Sequence, residues 1–306
     1  MKIALCLAGN VRTYKECLKS PYLQNLIRDS SVDTYICAWD LNYPSTSCYS
    51  TDPNLVAKVN LQEIKEQEFF CHINLMKKVS ICVPCYEMSG RGGEFLASLL
   101  WSIKSQTYSN IEVIVSDHSK DDIVKNVSDE FKDLLDIHYY RFEEKRGSIA
   151  ANLNNAIAKT TGSLVKFLLQ DDFFLDNRSL EEEIKNLGDA DWGLSATIHW
   201  NERILYWHLV PVYTHQIYTG ANTIGSPSLL LCKKESCLLF DNNLVNLVDC
   251  DYYRMMYDKY GYPKTTQRIT TVSRVWDGQH QRSQVDNDMK TREFAYVTNK
   301  YKGPSI

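Results

Sequence analysis

The sequence has no long hydrophobic run. No stretch of its 306 residues approaches the roughly 20 apolar residues that a membrane-spanning helix needs. The apolar run at residues 3–8 is also too short for the core of a signal peptide, and Asn10 and Arg12 follow it. We therefore expect no membrane span and a cytoplasmic location.

An excess of basic residues is missing as well. The chain has 34 Lys and Arg against 38 Asp and Glu, a formal net charge of -4. Such a balance gives no general attraction to nucleic acid or to anionic membranes, so neither is an expected partner. The hydrophobic content of 44% and the charged content of 24% are typical of a globular protein, and the length allows one large or two smaller domains.

The cysteines do not follow a disulfide or zinc pattern. Ten of them are spread through a long chain, several inside apolar runs typical of strands, so reduced thiols are expected. Cys82 and Cys85 have the two-residue spacing of redox and zinc sites, but no second pair with ligand spacing follows. We interpret them as buried thiols at the end of a strand, with a metal or redox site as the weaker alternative.

One apolar stretch ends in two acids. Residues 164–169 read Leu-Val-Lys-Phe-Leu-Leu, and Gln170, Asp171 and Asp172 follow. The run predicts a buried parallel strand. Two carboxylates beside such a strand are costly unless a cation or hydrogen-bond donors lie there, and oxygen ligands suit hard divalent cations. The alternative is a solvated turn that closes the strand.

Strands and helices alternate before this stretch. The predicted elements, beginning with a strand, are residues 79–83, 94–105, 111–115, 121–135, 137–140 and 148–159. This alternation predicts an α/β fold with an open, mostly parallel sheet covered by helices. Ligands bind at the carboxyl ends of such strands, so we expect Tyr86, Asp117 and the pair Asp171 and Asp172 to face one crevice.

Several motifs together resemble a known family. Residues 79–86 read VSICVPCY, residues 99–108 read LLWSIKSQTY, residues 110–117 read NIEVIVSD and residues 168–172 read LLQDD. In order and spacing they resemble the family 2 glycosyltransferases, which have the GT-A type fold. The resemblance covers roughly residues 79–280 and is strongest over 79–172.

The resemblance implies a division into domains. Residues 77–306 would form a GT-A domain with a mostly parallel central sheet flanked by helices. Within it, the nucleotide-binding half would span 77–175, the acceptor half 176–285 and a C-terminal helix 286–306. Residues 1–76 faintly resemble the start of another group of polysaccharide-associated sugar transferases, and we expect an accessory or truncated βαβ module there.

The resemblance also implies roles on the donor side. Tyr86, beside Pro84, would pack on the nucleotide base, and Asp117 would accept a hydrogen bond from the base or its ribose. Asp172 would hold Mn²⁺ or Mg²⁺ against the diphosphate, with Asp171 contacting the ribose or the waters of the metal.

Residues 145–147, Lys-Arg-Gly, precede a predicted helix. There Arg146 could bind phosphate together with the helix N-terminus. The alternative for Arg146 is a solvated turn.

On the acceptor side, residues 247–255 resemble the segment in which a Glu-Asp pair opens a helix, with Val248 in place of the Glu. The resemblance implies that Asp249 is the general base, with Asp251 as a second acid. The alternative is that one of them caps the helix.

Three tryptophans follow the acidic motif, namely Trp192, Trp200 and Trp207. A sugar ring can stack on an aromatic face, so each is a candidate to contact the acceptor. Packing in the core is the alternative for each of them, and we expect at most one to touch the acceptor.

The resemblance therefore implies a metal-dependent, inverting transferase. It would move a sugar from a nucleotide sugar, a UDP-sugar, to a hydroxyl group of a glycan, a polysaccharide or another acceptor. Leu169 and Val248 each stand where an acid is customary, so a catalytically silent module that binds nucleotide sugar or glycan remains an alternative. A sugar nucleotidyltransferase is a third possibility, since residues 90–93 partly mimic a phosphate-binding loop.

Overall fold

The computed structural model describes residues 77–279 and 286–302, together with two short strands nearer the start of the chain. The chain divides into two compact units, Met1–Glu66 and Gln67–Ile306. In the first unit, β1 (Ile3–Cys6) and β2 (Thr34–Cys37) pair in parallel, as a βαβ unit requires. The helix predicted between them at residues 14–27 lies outside the described residues.

The second unit is built on a sheet of nine strands. In chain order these are β3 (Val79–Cys85), β4 (Ile111–Asp117), β5 (Ile137–Arg141), β6 (Leu164–Phe167), β7 (Phe173–Phe174), β8 (Trp192–Trp200), β9 (Leu205–Leu209), β10 (Leu230–Lys233) and β11 (Lys264–Arg274). Their order across the sheet is β5-β4-β3-β6-β10-β8-β11-β7, with β9 paired to the outer part of β8. The first four are mutually parallel, as predicted, and β10 runs antiparallel between β6 and β8.

Six α-helices accompany the sheet in the described part of the chain. They are α1 (Gly92–Lys104), α2 (Ile123–Glu130), α3 (Ile149–Lys159), α4 (Ser179–Leu187), α5 (Val248–Tyr260) and α6 (Asn287–Lys302). The Ser148 hydroxyl caps α3 by accepting the N–H of Ala151. Helix α2 is shorter than the predicted 121–135, because hydrogen-bonded turns replace it after Glu130.

The predicted end of β3 at Pro84 is wrong. The strand continues through Pro84 to Cys85. The carbonyl of Cys82 points to β6 and the carbonyl of Cys85 points to β4. The backbone polar groups of successive residues in a parallel strand point alternately to its two neighbours, so the backbone of Pro84 faces β6. Pairing with β6 has already ended at Cys82, so the missing N–H of Pro84 costs the ladder no bond.

The core lies on both faces of the sheet. Cys82 packs on one face and Cys85 on the other, both fully buried. Two side chains on opposite faces of one strand cannot share an ion, so the weaker metal interpretation of this pair is wrong. Burial raises the pKa of both thiols well above the ordinary value.

A buried ion pair lies directly beneath the acidic motif. The Lys166 ammonium on β6 is 2.8 Å from the Glu183 carboxylate and donates to the carbonyl of Ser228 at 2.5 Å. Glu183 also accepts the hydroxyls of Ser195 and Thr270. Such a network lets a lysine occupy a core strand, because each buried charge has partners.

Candidate functional site

Asp171 is held by a loop that follows β11. Its carboxylate accepts the indole N–H of Trp276 at 3.0 Å and the amide of Gln279 at 3.3 Å. Gly278 is needed for this arrangement, since a Cβ there would lie 2.0 Å from the Trp276 ring. The loop of residues 276–279 therefore closes on the acidic motif.

Asp172 is also almost fully buried. One carboxylate oxygen accepts the backbone N–H of Arg274 at 3.2 Å, and the other accepts the Ser226 hydroxyl at 3.1 Å. Burial and the neighbouring Asp171 charge raise the pKa of Asp172 to about 7. Burial likewise raises the pKa of Asp171.

Neither of these carboxylates forms a salt bridge within residues 77–279 and 286–302. The donors that reach Asp172 are neutral hydroxyl and amide groups, and an ionised carboxylate has about four lone-pair positions. Two adjacent, buried, acceptor-only groups without a neutralising side chain fit a hard divalent cation.

Arg274 completes the floor of the acidic site. Its guanidinium is buried among the rings of Phe95 at 4.5 Å, Trp200 at 4.7 Å and Phe173 at 5.6 Å. It donates to the carbonyl of Asp171 and pairs with Glu202 at 3.1 Å. Because the aromatic cage fixes the side chain, the Arg274 backbone is held in position against Asp172.

A short loop, residues 222–226, joins the acidic motif to the predicted base. At one end the Asn222 amide donates to Asp249 at 2.7 Å, and at the other Ser226 donates to Asp172 at 3.1 Å. The Asn222 carbonyl oxygen accepts two backbone N–H groups of the same loop. Tyr253 on α5 donates to the carbonyl of Gly225. The two acids that the sequence places 77 residues apart thus share one rigid segment.

Asp249 lies in the first turn of α5, whose N-cap is Leu247. It is therefore not the N-cap, although it accepts the N–H of Cys250 at 2.8 Å. Its surroundings raise the pKa of Asp249 to about 6, chiefly through burial. A carboxyl group with this pKa is ionised at neutral pH yet basic enough to accept a proton.

Tyr86 stands beside this site, where β3 ends. Its ring packs with Met88, Phe95 and Trp276, the residue that binds Asp171. Gln170 fixes the backbone by accepting the N–H of Tyr86 at 2.9 Å and donating to the carbonyl of Gly92 at 2.7 Å. Gln170 of the acidic motif therefore fixes the backbone beside the Tyr86 ring, on which the nucleotide base is predicted to pack.

Asp117 ends β4 but is fully buried. It accepts the N–H of Ser119 at 2.8 Å and the hydroxyl of Tyr139 at 2.7 Å, and the Arg141 guanidinium is 3.6 Å away. The carboxylate thus meets protein donors rather than the open crevice. Its predicted contact with a base or ribose stays a prediction.

Polar atoms without a protein partner cluster near the ends of β3 and β4. Among the described residues, three such buried atoms lie there: Asn152 Oδ1, His118 Nε2 and Ser119 Oγ. The Asn152 amide group itself donates to the carbonyl of Cys85. Buried polar groups normally have partners, so this edge of the sheet has unused capacity to bind a polar ligand.

Arg146 lies on an exposed loop before α3, 3.7 Å from the Glu143 carboxylate. Its charge helps to lower the pKa of His118, after the larger effect of burial, so the loop lies near the end of β4. Arg146 thus lies near the carboxyl end of β4, on a loop whose side chains are solvated.

Two weak acceptor candidates are contradicted. Trp192 is buried in the core, where it stacks on Tyr253 and donates to the carbonyl of Gly261, so it offers no face to a sugar. Asp251 is fully buried and bound by Lys300 at 2.9 Å and Tyr301 at 2.6 Å. It shares the first turn of α5 with Asp249 but lies two residues later, about 200° around the helix axis, and so it faces α6 instead.

Of the other two tryptophans, only Trp207 is largely exposed. Trp200 packs against Arg274, whereas Trp207 is 63% exposed. Trp207 is the unpaired residue of a bulge between β8 and β9 and stacks on His199 with ring centroids 4.9 Å apart.

Two of the three glycines within residues 90–93 serve packing, whereas Gly90 has space around it and a φ of +88°. A Cβ at Gly92 would lie 2.5 Å from the carbonyl oxygen of Tyr86, and one at Gly93 would lie 2.6 Å from Ile123. Helix α1 begins at Gly92 and needs both small residues to approach its neighbours. This explains these two glycines without a phosphate-binding loop.

One further group of possible metal ligands occurs in the described residues, formed by Glu112, Asp136 and His138. It lies where β4 and β5 begin, at the opposite end of the strands from Asp172. Glu112 already binds Lys78, Ser80 and Thr161 there. We interpret it as a structural junction.

Sequence reasoning missed the residues that connect the site. Asn222 and Ser226 belong to no motif, since their role depends on a loop meeting two distant acids. Arg274, whose backbone N–H binds Asp172, belongs to no quoted motif either.

Comparison with known proteins agrees with the geometry. Residues 80–219 match the model described as glycosyl transferase family 2. Over 150 residues the chain is 25% identical to glycosyltransferase GlyA of Streptococcus pneumoniae, covering 47% of this chain and 21% of that protein. Over 115 residues it is 32% identical to an uncharacterized glycosyltransferase of Rickettsia felis, covering 37% and 18%. The chain thus spans about a fifth of the length of these two relatives.

The fold is shared with a solved structure. Residues 1–349 of S. aureus TarS, crystallised with UDP-GlcNAc, match with a TM-score of 0.54 and 19% identity, over 72% of this chain and 66% of that one. A second structure of S. aureus TarS matches with a TM-score of 0.52 and 18% identity, over 74% of this chain and 44% of that one. The predicted GT-A type architecture is confirmed. Among the described residues, no helix is both long and apolar enough to cross a membrane.

Proposed function

We propose that the chain, whose residues 80–219 match glycosyl transferase family 2, is a metal-dependent, inverting glycosyltransferase acting on a nucleotide sugar. The observation that carries this proposal is the loop at residues 222–226, which binds both Asp172 and Asp249. This loop hydrogen-bonds to both carboxylates, and that supports a joint role for Asp172 in holding a metal and for Asp249 in accepting a proton.

The donor is proposed to be a UDP-sugar. Its base would lie against Tyr86, near the unpartnered atoms of Asn152 and His118, and Arg146 would approach the phosphates. TarS, which has the same fold, was crystallised with UDP-GlcNAc, and this supports a nucleotide sugar as the class of donor.

A divalent ion, Mn²⁺ or Mg²⁺, would be held by Asp172 with help from Asp171. Burial, oxygen chemistry and the absence of a neutralising salt bridge among the described side chains all fit such an ion. When bound, it would stabilise the negative charge of the leaving diphosphate.

The chain's own catalytic residue is Asp249. Its carboxylate takes the proton from an acceptor hydroxyl as that oxygen bonds to C1 of the donor sugar. The bond between C1 and the diphosphate oxygen breaks, and the nucleoside diphosphate leaves with the electron pair. Attack opposite the leaving group inverts the configuration at C1. Asn222 holds the carboxylate for this transfer.

The experiment is a panel of nucleotide sugars scored for release of nucleoside diphosphate, with and without Mn²⁺. We expect metal-dependent release with at least one donor, and its loss in Asp172→Asn and Asp249→Asn. Full turnover by both variants would contradict the assigned roles. Binding of UDP without turnover of any donor would favour a silent binding module, which Leu169 and Val248 make the second candidate. The cytoplasmic location, a role in polysaccharide biosynthesis and the domain limits stay predictions.

A further inference from the structure

Lys166 and Glu183 form an ion pair in the core beneath the acidic site. Lys166 on β6 has no exposed surface, and Glu183 on α4 is 3% exposed. The Lys166 ammonium lies 2.8 Å from each carboxylate oxygen of Glu183. Removing an ion pair from water is costly, and apolar side chains of similar volume often give a fold of equal or greater stability. The pair therefore calls for an explanation other than stability.

The ammonium also reaches the turn that holds Asp172. It donates to the carbonyl of Ser228 at 2.5 Å. Ser228 lies in a 3₁₀ turn, Pro227–Leu229, whose N-cap is Ser226. The Ser226 hydroxyl donates to Asp172 at 3.1 Å, and the Ser226 carbonyl accepts the N–H of Leu229. Lys166 thus fixes, from the core side, the turn that supplies one donor to Asp172.

Ser228 joins the ammonium to the carboxylate through its side chain as well. Its hydroxyl accepts the N–H of Leu169 at 2.9 Å, so its own proton is available for another acceptor. That acceptor is the Asp172 carboxylate, and the hydrogen bond opposes the rise in the pKa of Asp172 that burial causes. One residue therefore binds Lys166 with its carbonyl and Asp172 with its hydroxyl.

Glu183 extends the network to β11. It accepts the Thr270 hydroxyl at 2.6 Å and the Ser195 hydroxyl at 3.1 Å. Thr270 lies on β11, four residues before Arg274, whose backbone N–H donates to Asp172 at 3.2 Å. The ion pair is therefore bonded to both segments, the 3₁₀ turn and β11, whose donors hold Asp172.

We propose that Lys166, paired with Glu183, is a positioning residue that holds Asp172 in the geometry needed to bind the divalent cation. Lys166 contacts neither the ion nor the substrate and acts through Ser228. This inference rests on the proposed function and deepens it by naming the residues that set the affinity of the site for metal. Groups that orient a metal ligand from behind typically change metal affinity by about 10- to 100-fold when they are replaced.

The test is a titration of the full chain with Mn²⁺ at saturating UDP, followed by isothermal titration calorimetry and corrected for the binding of Mn²⁺ to UDP alone. Lys166→Met/Glu183→Met replaces both charges with unbranched apolar side chains, so neither charge is left unpaired in the core. We expect its Mn²⁺ dissociation constant to rise by about tenfold or more. The transfer rate should fall at low Mn²⁺ and recover at saturating Mn²⁺.

Uridine distinguishes positioning of a metal ligand from a general structural role. It lacks the phosphates, so the double variant should bind it as the wild type does, measured by saturation-transfer NMR without metal. Ser228→Ala keeps the ion pair but removes the hydroxyl that reaches Asp172. It should raise the Mn²⁺ dissociation constant by a similar factor, and it decides the question if the double variant does not fold.

The matched control is Lys78→Met/Glu112→Gln, which removes an ion pair of 2.7 Å at the opposite end of the strands. It should bind Mn²⁺ and uridine as the wild type does. If the folded Lys166→Met/Glu183→Met variant or Ser228→Ala binds Mn²⁺ as tightly as the wild type, or if the former loses uridine binding, the positioning role is overturned while the proposed function stands. If the wild type itself binds no Mn²⁺ in the presence of UDP, the proposed function fails.

Discussion

The chemistry of the site depends on how individual carboxylates are surrounded. Asp172 and Asp171 are buried side by side, and their pKa values are raised mainly by burial. Asp251 is also buried, but Lys300 and Tyr301 occupy it. An acid without a charged partner such as Lys300 is available to bind an ion or accept a proton. The surroundings of each acid, and not its residue type, therefore distinguish the functional acids from the structural ones.

Asp249 should give the reaction a defined dependence on pH. Burial raises its pKa to about 6, so the carboxylate is protonated below that pH and cannot accept the acceptor's proton. We expect the transfer rate to rise as the pH increases through about 6 and then to level off. In Asp249→Asn the rate should fall by about 10²- to 10⁴-fold and lose this dependence. Initial rates between pH 5 and 8 at saturating donor measure both effects.

The matched control is Asp258→Asn, which changes an acid on the same helix that pairs with Arg254 outside the site. It should keep the wild-type pH profile. A profile for Asp249→Asn that still rises through pH 6 would show that another group, such as Asp172 with its pKa of about 7, sets the pH dependence.

At the level of elements, α6 supports the start of α5. Glu293 accepts the N–H groups of residues 245–247, just before the helix that carries Asp249. In Glu293→Ala these donors lose a charged partner, which we expect to lower the free energy of unfolding by about 1–3 kcal/mol. The rate of transfer should also fall, because Asp249 loses its fixed position, while UDP binding should not change. Urea unfolding, initial rates and UDP titration measure the three quantities.

Arg292→Ala is the control for this variant, since its exposed side chain lies next to Glu293 on the same helix. It should resemble the wild type in all three measurements. Loss of UDP affinity in Glu293→Ala would mean that α6 supports the donor site instead.

The elements differ in how well the sequence predicts them. The alternation from β3 to β6 was predicted because each strand is a short apolar run and each helix has an apolar face, and both patterns are local. The continuation of β3 through Pro84 was missed, because it depends on where pairing with β6 stops. The loop at residues 222–226 was missed for the same reason, since its hydrogen bonds go to residues far away in sequence.

In the molecule as a whole, the acidic site is a source of instability that a ligand can remove. The pKa of Asp172 is raised from the ordinary 3.8 to about 7, so the folded state binds this proton more tightly than the unfolded state does. The protonated group therefore stabilises the fold at low pH, and this stabilisation is lost as the pH rises from about 4 to about 7. A bound cation would remove the cost at higher pH by pairing with the carboxylates.

The substitution Asp172→Asn should therefore change the free energy of unfolding in opposite directions without and with the ligands. Without metal at pH 8, Asp172→Asn should raise the free energy of unfolding, because it removes a buried charge next to Asp171. With Mn²⁺ and UDP each at about 100 times its dissociation constant, the wild type should gain about 5.4 kcal/mol, about 2.7 kcal/mol from each ligand, and Asp172→Asn should gain at most the part that comes from UDP. Thermal unfolding at pH 8, with and without the ligands, measures both, and Asp258→Asn should respond to the ligands as the wild type does. An equal gain in Asp172→Asn would show that the ion is held elsewhere, and a loss of stability without metal would show that the ionised Asp172 stabilises the fold.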